Sequence, residues 1–196
     1  MTHDALRVIR DEHASLAAML QSLLLMVRQG DTPDGPEKPE LFFDVLRAML
    51  FYIDEFPEKR HHPKETELLF PRVAQAAPEV REVIAQLDRD HAHGEARVRQ
   101  LMHLLMAWEL LGDSRRQAFV SEVTQYVDFY LEHMALEESQ ILPAAERALS
   151  EEDWHVLNLA FDTNRDPINR SLPRDPQFDR LFTRIVMRAP SPVGLG

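Results

Sequence analysis

His61-His62-Pro63-Lys64-Glu65, running on to Leu69-Phe70-Pro71, is matched by His133-Met134-Ala135-Leu136-Glu137, running on to Ile141-Leu142-Pro143, at a constant offset of 72 residues. A His and a Glu four residues apart lie on one face of a helix, separated by one turn. An imidazole nitrogen and a carboxylate so placed can reach one buried point. Two copies on two helices can build a site for two metal ions.

The flanking sequence supplies the helices. Gly is scarce and helix formers abound, so no strands are predicted. From Thr2 to about Arg28, apolar residues recur at helical spacing (Leu6, Ile9, Leu16, Met19 or Leu20, Leu23), with Thr2 or Asp4 as the cap. Gly30 to Pro39 reads as a loop. A second helix runs from about Glu40 to Gln75 and is predicted to kink or split near Phe56 to Pro63, where Pro57 and Pro63 interrupt it. Pro78 opens a third helix that stops at Gly112, and Asp113 or Ser114 caps a fourth that reaches about Leu149. Ser150-Glu151-Glu152-Asp153 reads as a capping box for a short fifth helix through about Phe161. Beyond it lies a proline-punctuated arm with one short helix from about Gln177 to Met187.

Four long amphipathic helices on short loops predict an all-α, antiparallel up-down-up-down four-helix bundle. The expected division is a metal-binding bundle over 1–162 and a C-terminal arm over 163–196, packed on the bundle or on a partner. The halves repeat elsewhere too: Arg10-Asp11-Glu12-His13 resembles Arg89-Asp90-His91 at an offset of 78, the extra six residues falling in the longer first loop.

Composition narrows the chemistry. At 196 residues the chain should form one domain with a real core, and no apolar run is long enough to span a membrane. The start, Met1 to Arg7, lacks a basic segment followed by an apolar one, so no signal peptide is expected and the cytoplasm is the expected location. There is no cysteine, which excludes disulfides, thiolate ligands and a cysteine nucleophile and leaves His, Asp and Glu to hold a metal. A net charge of -11 disfavours nucleic acid and anionic membranes as partners and attracts cations. No Ser/His/Asp arrangement or glycine-rich phosphate loop is present.

The candidate metal ligands are His13 from the first helix, His61 and Glu65 from the second, His91 from the third, and His133 and Glu137 from the fourth. Buried together, four imidazoles and two carboxylates need counter-ions, because unpaired buried carboxylates cost several kcal/mol each. Two cations meet that need. Imidazole plus carboxylate without thiolate suits iron, manganese or zinc. The simplest distribution gives each metal two histidines and shares both glutamates as bridges. One His-x3-Glu pair alone would more often be a solvated contact, and a lone His a surface one. The weight lies in two copies in register, each preceded by a lone His on another helix. Pro63 disfavours helical geometry at His62, so His62 is placed beside the site or in solvent. His3, His93, His103 and His155 read as surface residues. Met19, Phe51, Met102, Met106 and Phe129 read as core, and Trp108 and Trp154 carry no readable role.

From about Ile9 to Arg147 the chain resembles the hemerythrin-like, or HHE cation-binding, family. The resemblance implies a bundle holding a non-haem di-iron centre, with His13, His61, Glu65, His91, His133 and Glu137 at the ligand positions. Oxygen-carrying members bring a second histidine on the third helix, four residues after the first, where this chain has Glu95. That makes four equivalent histidines, as in the bacterial nitrosative-stress and iron-sulfur-repair branch, and weighs against a reversible oxygen carrier, whose five-histidine centre blocks one metal. Glu95 is either a third carboxylate ligand or a helix-surface acid. The repair branch often has a cysteine-bearing N-terminal domain, absent from this sequence.

Three functions follow as expectations. The preferred one is a di-iron protein that binds or senses dioxygen, nitric oxide or peroxide. The second is an enzyme of peroxide reduction, iron oxidation or iron-sulfur repair. The third is a metal-stabilised interaction module whose arm docks a partner or forms a homodimer.

Overall fold

The computed structural model describes residues 3–29, 39–164, 166, 168 and 176–195. The first expected loop (30–38), the Thr2 cap and much of the proposed arm (165, 167, 169–175 and 196) lie outside the described residues.

Four helical rods pack in a ring. The first is α1 (Asp4–Gln29). The second begins as α2 (Pro39–Ile53), passes through a π-helical stretch (Asp54–His61), the single turn α3 (His62–Lys64) and a second π stretch (Glu65–Leu69), and ends as α4 (Phe70–Ala76). The third is α5 (Arg81–Leu111), entered by the 3₁₀ turn Pro78–Val80. The fourth joins α6 (Arg116–Leu136), a π stretch (Glu137–Ile141) and α7 (Leu142–Ala148). α1 packs on α2 and α6, and α5 packs on the same two, which closes the up-down-up-down bundle.

The second rod does not split at its prolines, as the sequence predicts it could; it widens. Proline has no N–H and its ring clashes with the carbonyl four residues back, and a five-residue turn meets both constraints. The His62 N–H bonds Pro57 O, the Phe70 N–H bonds Glu65 O, and the Leu142 N–H bonds Glu137 O, each five residues back. Pro71 and Pro143 immediately follow the last two of these donors. The repeated Leu-Phe-Pro and Ile-Leu-Pro ends thus place a widened turn at each bridging-glutamate candidate.

The apolar core divides in two. One cluster gathers Leu16, Leu20, Leu23, Leu46, Ile53, Val98, Leu105 and Phe119. The other gathers Leu6, Ile9, Leu69, Phe70, Ile84, Leu87, Ile141 and Leu142. His13 falls between the two along α1, and His91 falls between them along α5. The helical periodicity therefore buries a polar layer between two dry ones. Phe51 and Met106, expected in the core, are 44% and 55% exposed. They border a surface groove between α2, α5 and α9 (Asp179–Val186).

Several ends are tied differently from the sequence expectation. The free Ala5 N–H at the start of α1 donates to Asn158 Oδ1 at 2.8 Å, from α8 (Glu151–Phe161), while Asp4 pairs with Arg7. Asp113 makes no capping bond. Its Oδ1 accepts from Trp108 Nε1 at 3.0 Å, which gives Trp108 its role, and Gly112 turns the chain at φ 84°. The Ser150 capping box forms as expected, with the Asp153 N–H on Ser150 Oγ at 3.2 Å and the Ser150 N–H on Asp153 Oδ2 at 3.0 Å. His3 stacks on Trp154 at 4.0 Å between ring centres. Among the described residues, no helix is long and apolar enough to cross a membrane.

The described part of the arm packs on the bundle. Ile185 is fully buried, and Ser22, itself fully buried, donates to Pro190 O at 2.8 Å and accepts the Val193 N–H at 3.0 Å. Ser22→Ala leaves a buried donor and acceptor unpaired. It should destabilise the fold by about 1–3 kcal/mol, read as a lower midpoint in urea, with amide exchange at 189–195 rising most.

Candidate metal centre

The polar layer contains more imidazoles than the sequence reading placed there. His13, His61, His62, His91 and His133 are all buried, and Glu65 and Glu137 are completely so. Metal-ligating atoms converge in two groups: His13, His61 and Glu65 in one, His62, His91 and His133 in the other. All six expected residues occupy the layer. His62 joins them despite its proline neighbour, because it takes helical angles (φ -55°, ψ -39°) at the mouth of the widened turn. Consecutive residues of one helix then face different groups, His61 towards His13 and His62 towards His91. Glu95 takes the other alternative: it pairs with Arg99 on the helix surface, its side chain 46% exposed.

The two glutamates lie where bridges would. Glu65 Oε1 is 2.8 Å from His61 Nε2 and 3.9 Å from His13 Nε2, whereas its Oε2 is 3.5 Å from His91 Nε2. Glu137 Oε2 is 3.5 Å from His13 Nε2 and 4.0 Å from His133 Nε2. His91 Nε2 and His133 Nε2 approach to 3.1 Å.

Each imidazole turns Nε2 inward and presents Nδ1 to an outer oxygen. His13 Nδ1 meets Glu138 Oε1 at 2.9 Å, His61 Nδ1 meets Glu12 Oε2 at 2.7 Å, and His62 Nδ1 meets Glu58 Oε2 at 3.1 Å. His91 Nδ1 donates to Thr66 Oγ1 at 2.9 Å, since that hydroxyl spends its own proton on Asp88. His133 is the exception: Asp90 Oδ2 lies 3.6 Å from its Nδ1, too far for a hydrogen bond, and that nitrogen is buried without a partner. Fixing one ring nitrogen so that the other offers its lone pair is how metal-binding histidines are held.

The sequence repeat governs these outer partners as well. The acid before each lone histidine (Glu12, Asp90) faces the His-x3-Glu histidine of its own half. The residue after each glutamate (Thr66, Glu138) holds the lone histidine of the other half. The symmetry breaks at His62 and Glu58, whose counterparts at the offset of 72 are Met134 and Tyr130. Glu58 is the most elaborate support: Tyr126 donates to its Oε1 at 3.1 Å, Tyr130 Oη donates to the same oxygen, and the Tyr130 ring lies parallel to His62.

The donor set fits a pair of cations. Both oxygens of Glu65, both of Glu137, and His61 Nε2 are buried without a hydrogen-bond partner. Native proteins leave few such atoms unexplained. With no ion between them the groups can only share protons. Burial lowers the affinity of His13 for a proton, but Glu137 and Glu138 outweigh it and lift the ring to about 9. Burial, reinforced by the charge of Glu137, pushes Glu65 up to about 8. Burial likewise opposes charge on Glu137, yet its contact with His13 wins and keeps it ionised. Burial and neighbouring imidazoles hold His62 and His91 neutral. Burial raises Glu58 to about 7 against its two tyrosine bonds.

A family model described as the hemerythrin HHE cation binding domain matches residues 4–145. The chain belongs to that family. Among curated proteins, none matches it. As a hemerythrin HHE domain the bundle is a metal-cation-binding protein, and its buried His/Glu groups have the donors to hold a cation. The match ends before α8 and the arm.

Beside His13 and His61 lies a small cavity of about 20 Å³, room for roughly one water-sized molecule. Leu16, Phe56 and Pro57 wall it, Tyr52, Asn164 and Asp166 stand at its edge, and Arg60 lines it while lying against the rings of Phe56 and Phe178. No residue of the His62, His91 and His133 group lines it. Its polar neighbours serve one another: Tyr52 Oη donates to Asp166 Oδ2 at 2.9 Å, and Asn164 donates to Glu12 at 2.8 Å.

Proposed function

We propose that the chain is a non-haem di-iron protein that reversibly binds or senses a small diatomic, dioxygen or nitric oxide, at the ion held by His13 and His61. The observation that carries this reading is the unequal donor set. Glu65 and Glu137 would be shared between two ions; His62, His91 and His133 would hold one of them, and His13 and His61 the other. Two ions held there would be unequally supplied: the one at His62, His91 and His133 would have an imidazole more than the other, which would keep a position for a small ligand. Bound iron supplies the reversible electron donation such a ligand needs, and manganese or zinc would occupy the same donors.

His62 thus supplies, from the second helix, the fifth imidazole whose absence from the third weighed against an oxygen carrier. The cavity lies beside His13 and His61, where that less fully supplied ion would be held. Its walls are largely apolar, and Tyr52 with Asp166 and Asn164 with Glu12 are already paired, which suits a weakly hydrogen-bonding diatomic better than hydrogen peroxide. Peroxide reduction, iron oxidation and repair would need a proton donor or an exit path; among the described residues lining this cavity, Tyr52 is tied to Asp166 and Asn164 to Glu12.

Metal content of protein from iron-replete cells, followed by anaerobic reduction and titration with dioxygen or nitric oxide, tests the reading. Two irons per chain and a saturable, reversible change in the visible spectrum are expected. Two irons with no spectral response to either gas would refute gas binding, and steady turnover of peroxide would move the enzyme reading ahead.

A further inference from the structure

The chain beyond the family match reaches back to the metal layer. Asn164, which follows α8, is 2% exposed, and its Nδ2 donates at 2.8 Å to Glu12 Oε2, the same oxygen that accepts His61 Nδ1 at 2.7 Å. Its Oδ1 accepts from Lys64 Nζ. Lys64 lies between His61 and Glu65 and also donates to Ala160 O at 2.9 Å and Thr163 Oγ1 at 2.8 Å. The segment from Ala160 to Asn164 is therefore fastened to the ligand-bearing turn from two sides, directly through Lys64 and through Glu12 to His61.

We propose that Asn164 is a positioning residue for the metal centre. It fixes the Glu12 carboxylate so that His61 holds its Nδ1–H outward and its Nε2 lone pair inward. Glu12 needs that help. It is 8% exposed, and one oxygen receives both bonds, so without Asn164 the carboxylate is free to rotate towards the cavity or towards Lys64. His61 then loses the partner that sets its ring. The inference rests on the di-metal reading for its consequence, but the Asn164–Glu12–His61 coupling stands on the contacts alone. The C-terminal segment is on this view part of the site, and the bundle over 4–145 is incomplete without it.

The test uses the full chain loaded with zinc, a diamagnetic ion that accepts the same ligands. Asn164→Leu keeps most of the buried volume and removes both bonds. The His61 Nδ1–H proton resonance, far downfield while the imidazole donates to a carboxylate, should shift and broaden in the variant. Chelator competition should show affinity for one of the two ions down by about tenfold or more, as for other outer partners of metal-bound histidines, with the second ion little changed. An unchanged His61 resonance, with faster amide exchange at 160–164, would overturn the proposal and leave Asn164 as packing only. Lys64→Met is the companion variant should Asn164→Leu fail to fold. It loosens the segment without touching Glu12 and should move the same resonance in the same direction; no movement again overturns the proposal. If wild-type chain takes up no pair of ions, the di-metal reading has failed, and the resonance read on metal-free chain still decides the coupling.

Discussion

Replacing Glu65 by Gln should separate the two roles of that carboxylate, abolishing paired metal binding while leaving the metal-free fold as stable or more so. Glu65 is fully buried, and its two oxygens face different histidine groups. An amide of the same shape cannot neutralise two cations, so affinity for the pair should fall by more than ~100-fold, beyond the range for outer partners. The loaded chain should lose the stabilisation that binding confers on the folded state. In chelated protein the sign reverses. The Glu65 carboxyl titrates at about 8 in the fold against an ordinary 4.5, so its ionisation opposes folding, from nothing below about 4.5 to fully above about 8. Gln removes that opposition. Thermal melts of chelated protein should coincide at pH 4.5 and favour the variant at pH 9, while metal analysis shows the variant without its pair. Two ions retained per chain would remove Glu65 from the bridge.

Glu65 could be read from the sequence because a repeat in register is a constraint that chance rarely supplies. A single His-x3-Glu is common on any solvated helix; the second copy at the same offset, each with a lone histidine on another helix, singled out His13, His61, His91 and His133. The same repeat carried the outer partners, but Thr66 and Glu138 become meaningful only once the helices are seen to run antiparallel. His62, which the rule for residues before proline places beside the site or in solvent, is buried in the layer with His91 and His133. The rule against helical geometry before proline is local, and here it yields to a widened turn and to a buried layer that holds the ring between His91 and Tyr130. The same local rule predicts a kink or a split at the two prolines of the second rod. Asn164 gave no signal at all, since a side chain acting from an irregular segment has no periodicity and no spacing to its partners. Phe51 and Met106 show the converse: helical spacing marks a residue as apolar without saying whether a neighbour covers it.

Gly94→Ala is the substitution in which local and tertiary preferences oppose each other most directly. In the interior of α5, alanine is favoured over glycine by about 1 kcal/mol. A methyl at this position would sit 1.8 Å from Tyr130 Oη, 2.7 Å from Tyr130 Cζ and 3.1 Å from Glu58 Oε1. Tyr130 cannot simply swing aside, because it is 1% exposed and packed against Tyr126, Phe129, His62 and His133. Overpacking of a filled core costs about 1–3 kcal/mol, and the displaced phenol also gives up its bond to Glu58, about 1 kcal/mol or more where the group stays buried. The tertiary side wins, and the variant should be destabilised by roughly 1–3 kcal/mol net. The damage should also be directional. Glu58 is what His62 Nδ1 rests on, so the group with His62, His91 and His133 should weaken, while His13, His61 and their cavity keep their arrangement. Chelator competition should then show the ion on the three-histidine side lost first, the reverse of the order expected for Asn164→Leu. Adding Tyr130→Phe removes the 1.8 Å contact but leaves the ring carbon at 2.7 Å, so it should recover only part of the stability. Gly94→Ala protein that melts higher than wild type would mean that Tyr130 has room to move and that Glu58 does not depend on it.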